Sequence, residues 1–317
     1  MAEAAFITWD GGGNVAVALG IATRVAARGH RVTVVGPNSL RTAILDQGLE
    51  YRELGVASPR DPALRMAYLR EVAGSTNLTA GLDRLMAAWR PDAILIDCNL
   101  SWALQWADRS DIKRRTAVLV HTALGPFLPV WQTVLAARNE QRRLRHEPAL
   151  SSARQAWSRT DRLLVASLRH FDREPPAGMP ASHIGPVTAP HTRAQDFSPP
   201  YDDRPTVVVS YSTDRLQNGP RRVQTALNAL ADLPVRVLAS TSCLFPAARL
   251  RVPAPATVFD YLPLSSALQG AALAVCHAGH GHGTSLLGVR TATVQIVAAT
   301  NSKPCLSRAR NQAWQPR

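Results

Sequence analysis

The sequence predicts an α/β protein of two lobes, each a parallel sheet with helices packed on its faces. Three observations carry this expectation. Short apolar runs of buried-strand length alternate with amphipathic stretches along the chain. The chain opens on a strand, a glycine-rich turn and a helix. A proline-dense stretch without periodicity, residues 175–205, separates an earlier group of apolar runs from a later one. A length of 317 residues with 46% hydrophobic content suits two domains of ordinary size.

The first apolar run, Ala4 to Trp9, is followed by Asp10 and the glycines Gly11, Gly12 and Gly13. Val15, Leu19, Ala22 and Val25 then recur at helical spacing until Gly29 stops the helix, and Arg31 to Gly36 reads as a second strand. This βαβ unit implies a parallel pair with a right-handed crossover. Ala93 to Asp97, Thr116 to His121 and Arg162 to Ser167 continue the sheet, which gives a first lobe over residues 1–185. Residues 186–205 read as a Pro-rich linker. Val207 to Ser212, Val235 to Thr241, Thr257 to Leu262, Leu273 to His277 and Thr293 to Val297 supply the strands of a second lobe over 206–317. That lobe is expected to be incomplete, because no strand pattern follows Val297 and the chain ends in an Arg-rich tail containing Trp314.

Composition excludes several classes. Every apolar stretch is broken by Arg, Asp, Gly or Pro before it reaches membrane-spanning length, so no span is expected. The N-terminus lacks a basic region followed by an apolar run and a cleavage site, which points to the cytoplasm. Cys98, Cys243, Cys276 and Cys305 lie far apart without a CxxC pair, so neither a disulfide framework nor a metal site is read. The net charge of +13 is almost wholly arginine, since only Lys113 and Lys303 are lysines. That bias reflects composition, and nucleic acid is not expected as a partner. The densest cluster, Arg138, Arg142, Arg143, Arg145 and His146 with Glu140 and Glu147 interspersed, reads as a solvated helix face.

Two glycine-rich turns carry the chemistry. Gly11 to Asn14 is not the dinucleotide fingerprint, which needs GxGxxG and an acidic residue about twenty positions on; the second strand instead ends in Gly36 and Pro37. A nicotinamide dehydrogenase is therefore disfavoured. Asp10 and Asn14 are nevertheless polar side chains at the carboxyl end of a first strand, where open α/β sheets place their ligands. The second turn, His277-Ala278-Gly279-His280-Gly281-His282-Gly283-Thr284, follows a buried strand and precedes a helix pattern. Its glycines allow a phosphate to approach the backbone, and a helix N-terminus offers free N–H groups, so phosphate is favoured over metal.

The WDGGGNV turn, the ALGIATRVAARGHRVTVVGP helix and strand, the DYLP segment and the HAGHG motif together resemble actinobacterial nucleotide-sugar-dependent glycosyltransferases of the two-lobed GT-B fold, relatives of the macrolide and antibiotic aglycone transferases. The resemblance implies an N-terminal acceptor lobe, a C-terminal lobe for a UDP- or dTDP-sugar, a small hydroxylated acceptor, inversion at the anomeric carbon and no further cofactor. It also implies a histidine base after the first turn, steadied by an aspartate. Here Asn14 holds the histidine position and Asp97 the aspartate position. An amide cannot accept a proton, so Asp10 or Asp97 would have to serve; alternatively Asn14 only caps the helix. Gly12 and Gly13 would line the acceptor side. On the donor side the resemblance implies Tyr261 against the nucleobase, the Leu262 backbone at the base edge, and Ser212 and Thr213 below the pyrophosphate. His277, Gly279, His280, Gly281, His282 and Thr284 would hold the diphosphate, with Asn301 and Ser302 at the sugar in place of an acidic-Gln pair. The two turns are expected to face each other across a cleft. A catalytically inactive remnant or partner subunit is the alternative.

Overall fold

The structure is a computed structural model and describes residues 1–11, 13–54, 76–108, 110–113, 115–121, 129–169, 172, 180–187, 197, 203–213, 218–277 and 292–295. The chain divides into two compact units, Met1–Pro190 and His191–Arg317.

The first unit is built on a seven-stranded sheet in the order β3-β2-β1-β4-β5-β6-β7. Its strands are β1 (Glu3–Ile7), β2 (Arg31–Gly36), β3 (Glu50–Glu53), β4 (Ala93–Asp97), β5 (Thr116–Val120), β6 (Arg162–Val165) and β7 (Ala181–His183). All pairings are parallel. The glycine-rich turn feeds helix α1 (Gly13–Ala26), which ends where Gly29 adopts φ +83° and returns its N–H to the Ala26 carbonyl at 2.9 Å. Along β1, β2, β4 and β5 the buried side chains alternate between two cores. Ala4, Phe6, Val32, Val34, Leu95 and Leu119 pack with Ala18, Leu19 and Ala22 of α1, while Ala5, Ile7, Ile94, Ile96, Val118 and Val120 face the other side. That second core is rich in tryptophan. Trp89 follows α3 (Thr76–Ala88), Trp102 and Trp106 lie on α4 (Ser101–Ala107), and Trp157 lies on α7 (Ala153–Ser158).

Strand β3 (EYRE) and strand β7 (ASH) were not anticipated from the sequence. Both are edge strands, and an edge strand buries too little to need an apolar run. Arg52 of β3 instead lays its guanidinium over the Trp89 ring, 4.7 Å from the centroid.

The arginine-rich helix also departs from expectation. On α6 (Pro129–Leu144) Arg138 and Arg142 are each only 1% exposed, whereas a solvated face was predicted. Both converge on Asp108, which follows α4: Arg142 Nη1 lies 2.7 Å and Arg138 Nη2 3.7 Å from Oδ2, while Arg159 Nε reaches Oδ1 at 2.6 Å. Arg142 also pairs with Glu147 at 2.8 Å. Burial pushes the Arg138 guanidinium down to about 10, opposed by Asp108, so it stays charged at neutral pH. Arg143, paired with Glu140, and the exposed Arg145 and His146 fit the solvated description. A carboxylate supplied by another helix makes burial of these cations tolerable, and charge spacing along α6 does not reveal it.

The second unit carries a five-stranded parallel sheet in the order β10-β9-β8-β11-β12. Its strands are β8 (Thr206–Ser210), β9 (Arg236–Ser240), β10 (Ala256–Phe259), β11 (Leu273–Cys276) and β12 (Ala292–Gln295). Helix α8 (Pro220–Leu230) covers one face through Val223, Ala226, Leu227 and Leu230. The other face packs Val208, Leu238, Ala274 and Cys276 against Leu262, Ala267 and Leu268. Phe197, from the proline-dense stretch, sits edge-on to Phe259 with ring centroids 5.7 Å apart. Among the described residues no helix is long and apolar enough to cross a membrane.

Candidate functional site

Strand order reverses direction between β1 and β4 in the first sheet and between β8 and β11 in the second. In open parallel sheets the carboxyl ends of the strands at such a reversal form a ligand crevice. Asn14 and Asp97 lie at the first reversal, and Ser212, Thr213 and His277 at the second.

In the first unit Asn14 is the second residue of α1 and is 7% exposed. Its Nδ2 donates to Asp97 Oδ2 at 3.0 Å, to the Trp9 carbonyl at 3.0 Å and to Thr8 Oγ1 at 3.5 Å. Asp97, the last residue of β4, is 1% exposed, and its Oδ1 accepts from the Asn99 backbone N–H and from Asn99 Nδ2, both at 2.9 Å. Among the described residues the capping alternative for Asn14 finds no support: a cap accepts backbone N–H bonds through its oxygen, whereas Oδ1 is buried without a hydrogen-bond partner there. The amide orientation follows from chemistry, since the carboxylate needs a donor.

Gly11 shapes the same point. A Cβ there would lie 2.6 Å from Asn14 Oδ1 and 2.6 Å from Trp9 Cζ2, so only glycine lets the turn close over the indole and the amide. Nothing lies within 4 Å of a Cβ added at Gly13. Gly12 is outside the described residues. Asp10 is half-buried, and among the described residues no hydrogen bond ties its carboxylate to Asn14 or Asp97. Cys98 faces the opposite core; burial pushes its thiol well up, with the Asp97 carboxylate adding, so it is a protonated packing residue.

His121, which sequence reasoning left as the end of a strand, stands with its Nε2 4.0 Å from Asp97 Oδ2. Asp97 pairs with Leu119, so the period of two places His121 beside Asp97 once the register of β4 and β5 is known.

In the second unit Ser210 pairs with Cys276, which places Ser212 and Thr213 beside His277 at neighbouring strand ends. Ser212 is half-buried, Thr213 exposed and His277 8% exposed. Asn218, just before α8, donates through Nδ2 to the Ser212 carbonyl at 2.9 Å and to the Thr241 carbonyl at 3.4 Å. Tyr261 is half-buried, while the Leu262 side chain is in the core at 4% exposure. Gly279, His280, Gly281, His282, Thr284, Asn301 and Ser302 lie outside the described residues, and so does the expected meeting of the two turns.

Next to Tyr261 the loop after β9 forms a surface hollow of about 350 Å³, lined by Cys243, Leu244, Phe245, Pro246 and Asp260. Ser242 and Cys243 are consecutive left-handed residues, with φ of 54° and 56°. They are held by Ser242 N–H donating to Ser240 Oγ at 3.0 Å and Cys243 N–H donating to the Asp260 carbonyl at 2.7 Å. Neither is glycine, so the sequence carried no turn signal for this loop.

Solved structures align with nearly the whole chain. The kitacinnamycin glycotransferase aligns with a TM-score of 0.79 at 19% identity, covering 98% of this chain and 84% of that one. The calicheamicin glycosyltransferase CalG4 aligns at 0.74 and 18% identity, covering 98% and 83%. These neighbours are GT-B antibiotic glycosyltransferases. The fold is GT-B. VinC, solved in complex with dTDP, has the same GT-B arrangement at a TM-score of 0.66 and 16% identity, with 98% and 85% covered. Two curated relatives add sequence similarity. A PGL/p-HBAD biosynthesis glycosyltransferase of Mycobacterium tuberculosis is 38% identical over 116 residues, 33% of this chain and 24% of that protein. A PGL/p-HBAD biosynthesis rhamnosyltransferase of Mycobacterium bovis is 39% identical over 109 residues, covering 33% and 23%. The chain thus spans about a quarter of the length of the curated relatives it matches. No family model matches it.

Proposed function

We propose that the chain is a glycosyltransferase that moves a sugar from a UDP- or dTDP-sugar to a small hydroxylated acceptor, with inversion of the anomeric carbon. The observation that carries this reading is the buried carboxylate of Asp97, held at the strand-order reversal of a GT-B lobe and bonded to the first turn of α1. In this reading the first unit takes the acceptor and the second the donor. The diphosphate meets the backbone that follows His277, above Ser212 and Thr213, and the base lies against Tyr261. The dTDP bound by VinC supports a nucleoside diphosphate as the ligand.

A thermal-shift screen with UDP, dTDP and their sugars tests the donor half. Ligand at about a hundred times its Kd stabilises the native state by about 2.7 kcal/mol, a shift of several degrees in Tm. A chain stabilised by neither nucleotide is not a nucleotide-sugar enzyme. Replacing Gly281 by Val should abolish the shift; an unchanged dTDP affinity in the folded variant would remove the phosphate role of that turn.

One observation favours a second reading, in which the chain binds donor or acceptor without turning over. Asn14 offers an amide where a proton acceptor is required. Donor-induced stabilisation with neither transfer nor donor hydrolysis would decide for it.

A further inference from the structure

Resting on the glycosyltransferase reading, we infer that His121 is the general base of the first lobe, oriented by Asp97, and that it takes over the task Asn14 cannot perform.

The argument begins with alternation along the strands. Ala4 and Phe6 of β1, Leu95 of β4 and Ala117 and Leu119 of β5 all face the core beneath α1. One further step of two along each strand reaches Thr8, Asp97 and His121. On α1, Asn14 lies one turn before Ala18, on the same inward face. Four polar side chains therefore converge at the carboxyl edge of the sheet, under the start of a helix. The contacts agree: Asn14 Nδ2 bonds Asp97 Oδ2 at 3.0 Å, and His121 Nε2 faces that same oxygen at 4.0 Å.

The roles divide by chemistry. Asp97 is 1% exposed and the Asn14 amide has no basic atom, so neither presents a proton acceptor at the surface of the crevice. The His121 side chain is 24% exposed although its Nε2 is buried. With Nε2–H directed at Asp97, Nδ1 is the nitrogen that meets an acceptor hydroxyl. The hydroxyl proton passes to Nδ1 as the oxygen bonds the anomeric carbon. The bond from that carbon to the diphosphate breaks, its electron pair leaving with the nucleoside diphosphate, and Asp97 faces the imidazolium that forms. Catalytic hydrogen bonds are often long without substrate and tighten in the reacting complex, which suits the 4.0 Å separation. Among the described residues the charged neighbour from β4 is Asp97, while Asn14 from α1 and Thr8 from β1 are neutral.

The test compares His121→Gln with the unaltered chain on two acceptor types: alkyl alcohols, which need a base, and acidic phenols already ionised at the assay pH, which do not. The variant should lose about a hundred- to ten-thousandfold in kcat on alcohols. Its loss on phenols should be under about tenfold, with dTDP and UDP affinity unchanged. Equal losses on both acceptor types, or none on either, overturn the assignment. A second measurement needs no turnover. The His121 NMR titration, assigned by its disappearance in His121→Gln, should move to lower pH in Asp97→Asn, since a carboxylate favours the imidazolium. A midpoint that does not move overturns the pairing. Absence of any nucleotide binding would instead defeat the glycosyltransferase reading, and the two failures remain distinguishable.

Discussion

The carboxyl edges of the two sheets are built differently. In the first, side chain bonds to side chain: the buried Asn14 and Asp97 and the half-buried Asn99 form a chain around one carboxylate, with His121 at its margin. In the second, side chains mainly bond backbone: Asn218 holds the Ser212 and Thr241 carbonyls, and the left-handed pair Ser242 and Cys243 is fixed to Ser240 and Asp260. A buried charge at an edge equips it to move or stabilise a proton. A shaped backbone equips it to cradle a ligand whose own atoms carry the charge. The fold is a doubly wound sheet in both units, and the chemistry of the edge is what differs.

The largest effect that would break this contrast is expected at Asp97. Asp97→Ala removes one of the three acceptors of Asn14 Nδ2 and leaves the half-buried Asn99 N–H groups without this carboxylate, at a cost of about 2–4 kcal/mol in urea unfolding. A loss well below about 1 kcal/mol would mean that the first edge is no more a bonded unit than the second. Asn14→Asp sharpens the point by setting a carboxylate beside a carboxylate. Its destabilisation, about 1–3 kcal/mol at neutral pH, should shrink as the pH falls and one of the pair takes up a proton, because the unfolded state does not share the repulsion. A pH-independent loss would point to packing. Gly11→Ala pushes a methyl into Trp9 and Asn14 and should cost about 1–3 kcal/mol by the same unfolding assay.

At the second edge the expected effects are smaller. Asn218→Ala removes two bonds to carbonyl groups and should cost about 1–2 kcal/mol, with a matching loss of dTDP affinity if this loop holds the donor. Cys243→Gly should be neutral or stabilising by up to about 1 kcal/mol, because glycine takes φ of 56° without strain. A clear loss of stability there would show that the Cys243 side chain, and not only the backbone, shapes the hollow beside Asp260.

The sequence by itself determined the interior of both sheets. Parallel strands covered on both faces must be apolar almost throughout, so β1, β2, β4, β5, β8, β9 and β11 stand out as runs whose bounds differ from expectation by a few residues at most. The turn before α1 was legible too, because glycines and polar residues ending an apolar run mark the carboxyl edge, whereas Asp97 entered through the family resemblance. Strands β3 and β7 were not, since an edge strand leaves one side unburied and carries no such run. Only the tertiary structure decided the rest. Burial of Arg138 and Arg142 depends on a carboxylate about thirty residues away at Asp108. The approach of His121 to Asp97 depends on the register of β4 against β5, which no local pattern encodes. Solvation of a residue is written in its neighbours along the chain; its partner is set by which strands and helices come to lie side by side.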